Sequence, residues 1–180
     1  MTFPTIRRAT ADDAEAIADV HARSWQAAYV DLLPASTIAE MVAGSARRVV
    51  RLRGQLEGPS PVRIWVADQG GTIVGFALIG PTTEPDVPED AGEVFAIYLA
   101  AEAWDQGIGR ALMARAVEDL EEAGFARAIL WVLTSNDRAR RFYEAAGWRP
   151  DGATKVEERV GGSMPEVRYS RTLRGSDTPN

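Results

Sequence analysis

The sequence has no cysteine and a single histidine, His21. Without cysteine there are no disulfides, no thiolate-ligated metal and no thiol nucleophile, so a ping-pong route through cysteine is excluded. One imidazole leaves a transition-metal site dependent on a carboxylate cluster, and the spacing of the acidic residues offers none. No serine lies in Gly-x-Ser-x-Gly and no Gly-Lys-Ser/Thr occurs, which removes the nucleophile elbow and the P-loop. No apolar run is long enough to span a bilayer, and the start, MTFPTIRRATADD, lacks an apolar h-region. A cytoplasmic location away from membranes is the expectation. Basic residues are outnumbered, Lys+Arg 20 against Asp+Glu 26, and the net charge of −6 argues against nucleic acid as the main partner.

What is present is the composition of an ordinary globular chain, 46% hydrophobic and 26% charged. One domain over residues 1–174 is expected, with Gly175 to Asn180 a disordered tail. Thr2 to Ala9 reads as a strand, and Thr10 with Asp13 caps a helix from Ala11 to about Tyr29. His21 falls on its inner or rim side, where a satisfied polar residue is expected. After the bend Leu32-Leu33-Pro34 comes a second helix, Ser36 to about Leu52, and GQLEGPSP reads as a loop. Val62 to Asp68 and Thr72 to Ile79 form a hairpin around Gln69-Gly70-Gly71. The loop Gly80 to Gly92 holds three prolines and four acids. Strand Glu93 to Leu99, a helix ending at Gly124 and the apolar strand Ala128 to Leu133 follow. Glu118, Asp119, Glu121 and Glu122 read as that helix's solvated face. A short helix capped by Ser135 or Asn136 and strands near Trp148 to Ala153 and Val167 to Leu173 complete the chain. The order β-α-α-β-β-β-α-β-α-β-β implies a mixed sheet, with Glu93 to Leu133 a parallel strand-helix-strand unit.

The chain is organised around EVFAIYLAAEAWDQGIGRAL, residues 93–112. Gly107 and Gly109, between strand and helix, let backbone N–H groups approach an anion where the helix dipole is positive. Leu112 occupies the third glycine position of a dinucleotide fingerprint, so that motif is incomplete.

These stretches, together with LWVLTSNDRARRFYEAAGW and VRYSRTL, resemble the GCN5-related N-acetyltransferase (GNAT) superfamily over nearly the whole chain. The family carries Gln/Arg-x-x-Gly-x-Gly/Ala at this turn, and here the segment is Trp104-Asp105-Gln106-Gly107-Ile108-Gly109. Trp104 replaces the usual Gln or Arg, and Ala101 the usual proline. The second motif, Asn136-x-x-Ala139-x-x-x-Tyr143, matches throughout. The resemblance implies an α/β (α+β) fold: one mostly antiparallel sheet of six to seven strands flanked by four helices. It implies acetyl-coenzyme A as cosubstrate, no metal, and acetyl transfer to a primary amine of a small molecule or peptide in a ternary complex. A homodimer is compatible with it.

By the same resemblance, the pyrophosphate faces the amides of Gln106, Gly107, Ile108, Gly109, Arg110 and Ala111, with Trp104 donating its backbone N–H and Asp105 within the turn. Arg138 and Arg141 are further phosphate partners or merely exposed arginines. Ile97, Tyr98 and Leu99 pair with pantetheine through their backbone, and Asn136 binds the same arm or simply caps its helix. Glu93 corresponds to the general base of several members. It is expected to share a face with Phe95, Ile97 and Leu99, where burial raises its pKa. A strand-end glutamate in a salt bridge, with water relaying the proton, remains the alternative. Tyr143 corresponds to the general acid for the leaving thiolate, or else it is a core tyrosine beside Phe142. Trp25 and Tyr29 are candidate acceptor-binding residues, with Leu33, the acidic loop (Glu84, Asp86, Glu89, Asp90) and Arg159 to Met164 nearby. That loop either attracts a cationic amine or only solvates the surface. A non-catalytic acyl-coenzyme A sensor on the same fold is the competing function.

Overall fold

A computed structural model describes residues 3–159 and 162–173; the expected tail at Gly175 to Asn180 lies outside them. The strands are β1 (Thr5–Arg8), β2 (Arg63–Gln69), β3 (Thr72–Pro81), β4 (Ala91–Leu99), β5 (Arg127–Leu133), β6 (Arg149–Arg159) and β7 (Gly162–Thr172). The helices are α1 (Ala14–Ala28), α2 (Ala35–Ala43), α3 (Ser45–Glu57), α4 (Ile108–Glu122) and α5 (Asp137–Ala145). The seven strands form one sheet in the order β1-β2-β3-β4-β5-β7-β6. Every neighbouring pair is antiparallel except β4 and β5.

Period-two alternation sends each strand's apolar residues to two cores. From β2, Ile64 and Val66 meet Ile17 and Val20 of α1 and Leu52 of α3, while Trp65 and Ala67 meet Leu112, Ala116 and Leu120 of α4. A third, smaller cluster of Trp25, Leu133 and Met164, with Tyr29, Leu33 and Tyr98 against it, fills the space beside β4 and β5.

Three expectations need correction. The second helix is two, so five helices flank the sheet: Gly44 ends α2, and its carbonyl takes the Arg48 N–H (3.0 Å) to start α3. The GQLE part of the supposed loop is the last turn of α3, which stops at Gly58. The last two strands run longer than their apolar cores, because the β6–β7 ladder carries polar residues out to Arg159 and Gly162.

Asp119 also departs from the solvated face. It is buried against the sheet, accepts the Trp65 indole N–H at 2.6 Å, and pairs with Arg8 (3.0 Å) and Arg63 (2.9 Å). At the start of α1, Arg7 grips Asp13 at 2.8 and 2.9 Å while Thr10 donates its backbone N–H to the same carboxylate. Hydrogen bonding from Arg7 holds the Asp13 carboxyl down at about 2.

Candidate active site

β4 and β5 pair for only three residues, Ala91–Glu93 against Arg127–Ile129. Beyond Glu93 a groove of about 1000 Å³ opens, lined by Val94 to Leu99 on one side and Trp131 to Leu133 on the other. A bulge helps to shape it: Leu78 pairs with Ala96 but Ile79 with Val94, so Phe95 is the extra residue on β4. The Ala100 N–H donates to Val74 O of β3 (2.9 Å). Alternation then turns the backbone of Ala96 and Tyr98 to β3 and that of Ile97 and Leu99 into the groove. Tyr98 therefore presents its phenol, not its backbone, to the groove. The Leu99 carbonyl is already taken by Ser24 Oγ (2.7 Å) and Trp104 Nε1 (3.1 Å), which leaves its N–H.

At the end of β4 the chain makes a 3-10 turn over Ala101–Ala103 and enters a left-handed stretch, Asp105 at φ 59 and Gly107 at φ 80. Gly107 caps α4, whose first internal bond runs from the Ala111 N–H to Gly107 O (3.1 Å). The N–H groups of Ile108, Gly109 and Arg110 precede that bond and have no partner inside the helix. Two expectations fail here on hydrogen-bond saturation. Ala111 N–H is engaged in the helix, and Trp104 N–H donates to Ala101 O (3.2 Å). The Trp104 side chain has a different place: the Arg138 guanidinium lies 3.8 Å from the indole centroid and within 3.5 Å of Asp105. Arg110 and Arg138 line the groove. Arg141 is exposed away from it.

The bulge also moves Glu93. A side chain on Gly92 would point at Leu120 and Phe125, and Val94, Ile97 and Leu99 pack in the same core under α4. Glu93 thus lies on the opposite face from Ile97 and Leu99, contrary to simple alternation through Phe95. It is buried, accepts the Thr82 hydroxyl (2.8 Å), and has its pKa raised, chiefly by burial. Glu166 of β7, for which the sequence carried no signal, lines the same groove with its pKa also raised by burial.

Tyr143 of α5 packs edge-on against Phe142 (5.4 Å) and beside Tyr169 (6.3 Å), and its ring lines the groove. Burial, and then the nearby Tyr98, raise the Tyr143 pKa, so the phenol stays protonated throughout the neutral range. Burial raises Tyr29 and Tyr98 as well. Asn136 caps α5 by accepting the Ala139 N–H (3.1 Å), and its side chain lies beside the Tyr29 hydroxyl.

The remaining wall comes from α1, α3, β6 and β7. Trp25 and Tyr29 lie with their rings tilted and their centroids 4.4 Å apart, and both line the groove, as do Arg48 and Arg51 of α3 and Lys155 and Arg159 of β6. His21 sits among Trp25 (5.8 Å), Phe76 (6.5 Å) and Tyr98 (5.0 Å). It lies on the inner side as expected, but it is not satisfied: Nδ1 is buried with no hydrogen-bond partner among the described residues. Burial, then Arg48 and Arg51, push its pKa down to about 3. The acidic loop is tied down rather than free. Glu84 takes the Trp131 indole N–H (2.9 Å) and Lys155 (3.3 Å), and Asp86 pairs with Arg168 (2.8 Å). Among the described residues no group of three or more His, Asp or Glu is placed to hold a metal ion, and no helix is long and apolar enough to cross a membrane.

The sheet thus parts beside a left-handed turn and a helix N-terminus. Residues 17–148 match the acetyltransferase (GNAT) family, and the chain belongs to it. It is 33% identical over 142 residues, 78% of each chain, to the uncharacterized N-acetyltransferase YuaI of Bacillus subtilis. Its fold is that of the PaiA N-acetyltransferase from Thermoplasma acidophilum in complex with coenzyme A, at TM-score 0.73 and 18% identity over 96% of this chain and 100% of that one. YncA, a putative acetyltransferase from Salmonella typhimurium with its cofactor acetyl-CoA, superposes at TM-score 0.73 and 18% identity over 99% of each chain.

Proposed function

We propose that the protein transfers an acetyl group from acetyl-coenzyme A to a primary amine by direct attack in a ternary complex. The observation that carries this reading is the parted β4/β5 pair, with Ile97 and Leu99 N–H groups turned into the gap beside the free amides of α4. An extended pantetheine fits the open strand edge. A pyrophosphate fits the left-handed turn at Gly107, where the Ile108 to Arg110 amides, Arg110 and Arg138 supply positive potential. The coenzyme A and acetyl-CoA of the two structural neighbours support the same ligand here.

The bound cosubstrate supplies an acyl thioester, and the acceptor nitrogen attacks its carbonyl carbon. The amine must first be neutral. Glu93, held by Thr82 and with its pKa raised by burial, takes a proton from an ammonium better than an ordinary carboxylate does. The Ile97 N–H polarises the thioester oxygen. Tyr143, protonated at neutral pH, donates to the departing sulfur, and the second proton that the nitrogen sheds as the amide forms restores the phenol through solvent. Coenzyme A release over a panel of amines tests the proposal. Turnover is expected for at least one acceptor, whereas micromolar coenzyme A binding with no turnover for any amine would leave only a binding module.

A further inference from the structure

The arginines of α3 divide into two kinds. Arg53, on the outer side, pairs with Glu15 at 2.8 Å. Arg48 and Arg51 line the acceptor end of the groove, and neither has a carboxylate partner among the described residues. Both Arg48 amino groups find only the Met41 carbonyl, at 3.4 Å. Burial, then Arg51, lower the Arg48 pKa, the mark of two guanidiniums held together without a counter-charge. Across the same lobe, Arg159 is paired with Glu157, and Glu40 stands on the rim.

His21 and Trp25 of α1 line the same groove, both buried, with the Trp25 indole beside the Tyr98 hydroxyl. Two guanidiniums without a carboxylate make a donor set with no acceptor of its own. Their chemical complement is an oxyanion, which guanidinium binds in a bidentate fork. Glu93 and Glu166 line the same groove.

From this arrangement we infer that the acceptor is an amine carrying its own anionic group, a carboxylate or a phosphate, held by Arg48 and Arg51. The inference deepens the acetyl-transfer reading of the same groove and rests on it. It runs against a polyamine acceptor, which the acidic net charge and the acidic loop would favour. Glu84 and Asp86 of that loop are paired with Lys155 and Arg168, so part of its charge is offset before any substrate arrives.

Coenzyme A release measured on matched acceptors tests it: L-amino acids against their carboxamides, phosphoethanolamine against ethanolamine, and spermidine as an acceptor with no anion. At least one anionic member should exceed its neutral partner about ten-fold or more in kcat/KM, and the responding pair tells carboxylate from phosphate. Arg48→Gln and Arg51→Gln should pull that ratio towards one by raising KM. Arg53→Gln should keep it. A wild-type ratio near one, a preference for spermidine, or a ratio untouched by both groove variants would overturn the anion site while leaving acetyl transfer intact. Calorimetry with the same compounds on coenzyme A-saturated protein separates the other failure. Selective binding of anionic compounds, lost in Arg51→Gln, without turnover of any would sink acetyl transfer and keep the anion site. Neither turnover nor selective binding would overturn both.

Discussion

The two ends of the groove are made of different material. On the proposed reading, the groups that face the ligand at the cofactor end are backbone: the Ile97 and Leu99 N–H groups, the left-handed Gly107 and the first amides of α4. At the acceptor end they are side chains, from α1, α3, β6 and β7, brought together across more than a hundred residues of sequence. A backbone site tolerates varied side chains so long as strand, turn and helix follow in order. A side-chain site changes its ligand with each substitution. The common step of a family therefore belongs at the first end and the identity of its acceptor at the second.

Perturbing each end should produce separable effects. The largest is expected where the ends meet. Tyr143→Phe should lower kcat by about two orders of magnitude, as for a lost general acid, with coenzyme A affinity nearly unchanged. An unaltered kcat would return Tyr143 to the core it shares with Phe142 and Tyr169.

At the cofactor end, Gly107→Val forces a β-branched residue into φ 80, a strain of about 1–3 kcal/mol, and fills the turn. Coenzyme A binding by calorimetry should weaken about ten- to a hundred-fold. Unchanged affinity would place the phosphates elsewhere.

The acceptor end should show itself in the pH dependence of stability. His21 has a folded pKa of about 3 against an ordinary 6.5, so the unfolded chain binds the extra proton between those values. Its contribution to stability is therefore complete above the unfolded pKa and is lost as pH falls towards 3. Denaturant titrations should give an unfolding free energy about 2 kcal/mol lower at pH 5 than at pH 7.5, with the difference flattened in His21→Phe. An equal slope in wild type and variant would show that the imidazole is hydrated. Asp13 acts in a separate window, losing its contribution only as pH falls from about 3.8 to about 2.

The smallest effect is expected at Trp104. Trp104→Ala removes a cation–π contact of about 0.5–1 kcal/mol and frees Arg138, so coenzyme A affinity should fall only a few-fold. No change would mean that Arg138 reaches the phosphates without the indole beneath it.

The legibility of the sequence follows the same division. The strand, turn and helix of residues 93–112 and the Asn136–Tyr143 helix were readable because each is a local pattern of caps, glycines and periodicity. The parallel β4–β5 unit followed from their order. Other features escaped for identifiable reasons. The α2–α3 break needs only one glycine, Gly44, and Gly54, later in α3, breaks nothing. Glu166 lies in a hairpin strand with no motif. The engaged N–H groups of Trp104 and Ala111 depend on a 3-10 turn and a helix start that the motif does not specify.

By itself, then, the sequence determined the acetyltransferase fold and the strand, turn and helix around residues 93–112, since consecutive residues with their own backbone preferences encode both. Tertiary structure decided which face Glu93 takes, because the single extra residue at Phe95 reverses the alternation on which the expectation rested. It also decided that Asp119 is quenched by Arg8 and Arg63 while Arg48 and Arg51 stay without a carboxylate among the described residues. An arginine reads the same in sequence whether or not a carboxylate meets it. Only the packing of distant elements sets its counter-charge, and with it the ligand it is left to bind.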